Sequence, residues 1–134
     1  MKFKVLVVLA LLFLFVGSAT AQTFNVIGNW SLVRDSQTLE WREEVNLGAS
    51  SASSFAGRLY WRASNRVIIG MCDISDGILR SDNSLTFSAV CGTGQNTYII
   101  SIAGRPTSDD TITGTWYENG PEGEKRGTFV MKRQ

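Results

Sequence analysis

Beyond residue 21 the chain alternates. Apolar and polar side chains exchange places at every second residue, in short runs separated by Gly, Asn, Asp and Ser. A period of two is the mark of a half-buried β-strand, and the breaks carry turn chemistry. Trp30 and Leu32 flank Ser31 in a first run. Leu39, Trp41, Val45 and Leu47 share one face of a second, opposite Glu40, Arg42, Glu44 and Asn46. Phe55, Leu59 and Trp61 share a face of a third, opposite Arg58, Tyr60 and Arg62. Residues 67–74 form a denser apolar run. Leu85, Phe87, Ala89 and Cys91 alternate again. Tyr98, Ile100 and Ile102 follow, then Ile112, Gly114 and Trp116, and finally Phe129 and Met131.

The runs amount to about eight strands, or nine if Ile78-Leu79-Arg80 pairs separately. The predicted turns are Asp35-Ser36-Gln37, Asp76-Gly77, residues 92–96 and residues 119–123, where Gly and Asn supply positive φ. Short, evenly spaced strands fit an up-and-down meander. An open meander leaves two raw edges, and closure removes both. The prediction is therefore all-β, a single small antiparallel up-and-down β-barrel over residues 22–134.

The first 21 residues read differently. Lys2 and Lys4 precede an unbroken apolar run at 5–16, and small residues follow, with Ala19 and Ala21 at the positions a signal peptidase reads. This predicts a cleaved secretory signal peptide over 1–21 and a secreted or periplasmic product. The apolar run falls short of the roughly 20 residues a membrane span needs. An uncleaved anchor is the alternative, and no membrane span is expected in the mature chain. Losing two lysines turns the net charge from +1 to −1. No basic footprint for nucleic acid remains. Cys72 and Cys91 are the only cysteines. In an oxidising compartment they predict a disulfide, with two buried thiols as the alternative.

Candidate chemistry is sparse. The chain has no histidine, which removes Ser-His and Cys-His nucleophiles, the usual zinc sites and the commonest neutral-pH base. No catalytic residue, metal ligand set or cofactor is expected. Asp73, Asp76 and Asp82 lack the spacing of a calcium loop. Glu43 stands out because it shares strand parity with Trp41, Val45 and Leu47. Unbroken alternation points this carboxylate inward, as a polar anchor in a ligand cavity flanked by Trp41, Trp61, Tyr98 and Trp116. A β-bulge at Glu43-Glu44 would instead turn it out. The small, polar segment 48–54 reads either as a plain hairpin loop or as a lid over a barrel mouth.

Gly28-Asn29-Trp30 opens the first strand, and Gly114-Thr115-Trp116 repeats the pattern near the end. With the closing segment 127–133, these motifs resemble those of lipocalin and wider calycin barrels. The resemblance implies that Trp30 closes one end of the barrel while Arg133 packs across it, with Arg126 in reserve. The chain is shorter than a typical lipocalin and lacks the middle signature and the C-terminal helix. Two functions follow. One is a secreted monomeric barrel holding a small apolar or aromatic ligand in its mouth. The other is a protein-interaction or inhibitor module that uses the barrel as a rigid stand for its loops.

Overall fold

The structure, a computed structural model, describes residues 24–35 and 42–134. The predicted signal peptide and two members of the second apolar run, Leu39 and Trp41, lie outside the described residues. Eight strands form: β1 Gly28–Arg34, β2 Arg42–Ala49, β3 Ser54–Arg62, β4 Ile68–Leu79, β5 Leu85–Cys91, β6 Tyr98–Ser108, β7 Thr111–Gly120 and β8 Gly123–Arg133. Each pairs antiparallel with the next, and β1 pairs with β8, so the barrel is closed and up-and-down. Among the described residues no helix is long and apolar enough to cross a membrane.

Strand direction defines two ends. β1 starts at Gly28 at what is called here the lower end and finishes at Arg34 at the upper end. Alternating direction then puts the connections 50–53, 80–84 and 109–110 below, and 63–67, 92–97 and 121–122 above. Inward positions alternate along every strand. Leu32, Val45, Leu47, Leu59, Phe87, Ile102, Trp116 and Phe129 belong to one continuous buried cluster. An eight-stranded barrel is just wide enough for its own side chains or one small ligand, and this cluster takes up much of that room.

Trp30 is buried at the lower end. Its Nε1 donates to the Val26 carbonyl at 2.9 Å. The Arg133 guanidinium lies 4.2 Å from the Trp30 ring centroid and donates to the carbonyls of Ile27 (2.8 Å) and Asn25 (2.6 Å). It thus clasps the segment before β1 beneath the barrel, with a cation–π contact as well. Gly28 has φ +137°, and a side chain there would meet Arg133 Nη1, so both conformation and space call for glycine. Arg126 is elsewhere, over the Tyr117 ring at 5.7 Å.

One turn reading needs correction. Asp76-Gly77 is not a turn, because β4 runs through it to Leu79, and Ile78 and Leu79 end that strand rather than forming a ninth. The register against β5 slips between Ile74 and Ile78. Asp76 Oδ1 accepts the Ser88 N–H at 2.7 Å, a side chain standing in for a missing rung. Gly77 gives Phe55 its space, since an added Cβ would sit 2.3 Å from the ring. The segment 48–54 is the plain hairpin loop of the first reading, shortened so that only residues 50–53 lie between strands. Ser50 and Ser51 both donate to the Ser54 carbonyl, making a short hairpin turn at the lower end.

Cys72 and Cys91 form a disulfide across β4 and β5, with Cα atoms 4.4 Å apart. Both are inward and buried. The rung below them is Asp73 opposite Val90.

Candidate functional site at the upper end

β2 pairs with both neighbours in unbroken register at Glu43. No bulge forms there, and the carboxylate points into the barrel. Its partner is Arg34, the next inward position after Leu32 on β1. Arg34 Nε donates to Glu43 Oε2 at 2.9 Å and Nη2 to Oε1 at 2.5 Å. This is the bidentate geometry that suits guanidinium and carboxylate. The two side chains are 4% and 0% exposed. Trp61 Nε1 adds a third bond, to Glu43 Oε1 at 3.1 Å.

The cluster extends across the barrel. The Arg34 guanidinium stands 4.7 Å from the Trp116 ring centroid. Its Nη1 lies 3.5 Å from Glu118 Oε1, an ion-pair distance too long for a good hydrogen bond. Nη1 is buried and makes no hydrogen bond among the described residues. Burial works against a guanidinium charge, but hydrogen bonding and the charge of Glu43, followed by Glu118, outweigh it and hold the Arg34 pKa above its ordinary value. Lys125 lies 4.0 Å from Glu118 at the rim, so two cations and two anions meet here.

Two half-buried aromatics border the charges. Trp61 and Tyr98 stack with centroids 6.2 Å apart. Trp61 lies over the bare backbone of Gly70, where an added Cβ would come within 2.3 Å of the ring. Burial, then the negative charge of Glu118, pushes the Tyr98 hydroxyl pKa up, so it stays a neutral donor and acceptor well past neutral pH. Of the five sequence-predicted ligand residues, Glu43, Trp61, Tyr98 and Trp116 thus belong to this one end. Trp41 lies outside the described residues. The serine-rich turn is at the opposite end and cannot cover this one.

Sequence reading missed Arg34 and Glu118. The signal was present, because each sits one alternation beyond an inward tryptophan or leucine, Arg34 after Leu32 and Glu118 after Trp116. Both oxygens of Glu43 are engaged, so it serves as the counter-ion of Arg34 rather than as a free anchor. The open polar function is the Nη1 donor. Among the described residues no group of three or more His, Cys, Asp or Glu is placed to hold a metal ion. No family model, curated protein or solved structure matches the chain.

Carboxylates also secure the outside. Asp35, just after β1, accepts from Thr128 Oγ1 at 2.7 Å and from the Thr128 N–H. Those bonds hold its pKa below the ordinary aspartate value. Arg62 does the same for Glu44, and Ser84 for Asp82. A carboxyl with a depressed folded pKa contributes stability above its unfolded pKa and loses it as pH falls through the folded value. The midpoint of thermal unfolding should therefore be level from neutrality to about pH 5 and fall below about pH 4. Asp35→Asn should make that fall shallower, measured by circular dichroism across the pH series.

Proposed function

We propose that this chain is an exported calycin-like binding barrel that takes a small aromatic ligand at its upper end. The ligand carries a hydrogen-bond acceptor. Its ring rests against the Trp61–Tyr98 stack, and its acceptor meets Arg34 Nη1. The observation that carries this reading is the buried Nη1 donor without a hydrogen-bond partner among the described residues, beside two half-buried aromatic rings. A buried unpaired donor is costly, and an acceptor from outside removes that cost. The buried apolar cluster below limits the ligand to a small one. The apolar run and small residues at 1–21 support export, as does the disulfide.

The test is titration with ANS, an aromatic sulfonate, followed by fluorescence. Wild type should bind one equivalent. Tyr98→Ala should weaken binding about fivefold through the lost aromatic contact, and Met71→Lys, on the outer wall, should leave it unchanged. Equal affinity in wild type and Tyr98→Ala would place the ligand elsewhere. No binding of ANS or of a panel of aromatic carboxylates would end the proposal.

A further inference from the structure

Closure of the barrel is uneven at its upper rim. β4 pairs with β3 as far up as Ile68, opposite Arg62. On its other side the ladder with β5 stops at Asp73, with the disulfide one residue higher. β5 ends at Cys91. The chain then folds on itself, with Asn96 N–H donating to the Thr93 carbonyl and Thr97 N–H to that of Gly94. Among the described residues, no backbone hydrogen bond joins this connection to residues 68–71. The top of β4 is therefore an edge, paired with β3 on one side only.

This edge is also apolar and exposed. Val67, Ile68, Ile69 and Met71 are 56%, 40%, 56% and 48% exposed. Val90 and Ile99, opposite each other on β5 and β6, are exposed beside it. Proteins usually guard such an edge with lysine, proline or an inward-pointing charge. Residues 67–72 contain none of these.

We infer that this edge is covered by the same edge of a second copy of the chain, in a twofold antiparallel strand pair. The charges at the two ends of the strip select that occupant. Arg66 precedes it and Asp73 follows it, with no charge between. Asp73 is well exposed and only loosely held, 3.4 Å from Arg58. Antiparallel pairing sets the Arg66 end of one copy against the Asp73 end of the other, and the twofold does so twice. A parallel arrangement would set like against like. The strip is thus complementary to itself, which is the requirement for a closed twofold interface. This departs from the expectation of a lone barrel, and it does not depend on the ligand reading above.

Sedimentation velocity on the mature chain tests it. So small an interface belongs at the weak end, so wild type should pass from monomer to dimer over roughly 10–100 μM. Ile69→Lys should stay monomeric with an unchanged thermal transition, since the side chain it alters is exposed. Val33→Lys, on the outer face of β1, should dimerise like wild type. Backbone hydrogen exchange reads the pairing itself, with the amides of residues 69–71 slowing at high concentration in wild type only. A wild type monomeric throughout, a dimer that survives Ile69→Lys, or a dimer whose amides at 69–71 exchange as in the monomer would each overturn the inference.

Discussion

Glu43→Ala is expected to destabilise the barrel by about 3–5 kcal/mol, the range for removing one member of a buried ion pair. The loss does not measure the strength of the pair. It comes from what is left behind, because the Arg34 guanidinium would keep its charge in a site where it is 4% exposed. Trp61 Nε1 would lose its acceptor too. Glu118 cannot take over, since it approaches only the far nitrogen of Arg34 at 3.5 Å. Glu43→Gln keeps one acceptor and should fall between alanine and wild type. Arg34→Met combined with Glu43→Leu removes both charges and keeps most of the volume, so it should recover much of the loss. Urea unfolding of the four proteins, followed by circular dichroism, gives the comparison. A Glu43→Ala loss below about 1 kcal/mol would mean that water reaches the pair, as for a surface salt bridge.

The second large effect is expected at the disulfide. Replacing Cys72 and Cys91 together by alanine should cost about 3 kcal/mol, the loop-closure figure for a cross-link of this kind, here across 19 residues. Loss of packing adds to it, because both sulfurs are interior. The bond should also resist reduction while the barrel stays folded. Trapping of free thiols after mild reductant should show little labelling in buffer and complete labelling in denaturant. Ready labelling in buffer would show that the seam between β4 and β5 opens locally. The double variant should disturb Tyr98 first, since Tyr98 sits opposite Cys91 on β6. Ligand binding at the upper end should therefore weaken before the fold fails.

The pattern of alternation carried most of the architecture. Strand number, the meander order and the inward set from Trp30 to Met131 follow from a period of two with turn residues between. Asp76-Gly77 misled because its composition is that of a turn, while its role depends on Phe55 and Ser88, residues far away in sequence. A register slip has no local signature. The site was partly legible for a different reason. Glu43 could be placed inside by parity, but Arg34 could not be seen as its partner without knowing that β1 and β2 present both side chains to the same interior. The reading of each strand stopped at its last apolar residue, and the charged pair begins one step further on. The end to which the segment 48–54 belongs is a matter of counting strand directions, which shape and composition of a loop do not reveal.

The seam between β1 and β8 has a consequence in time. Seven of the eight strand pairings join neighbours in sequence, and each can form as a hairpin from nearby chain. The remaining one brings Trp30 beside Arg133, the first strand to the last. Its closure pays the entropy of a loop spanning nearly the whole domain, and long loops of this kind set the pace of β-rich folding. A nascent chain therefore remains an unsealed ribbon until β8 arrives. Arg133, which clasps the segment before β1, acts on the final step of assembly. The same residue that completes the lower end thus marks the moment at which the protein first becomes a barrel.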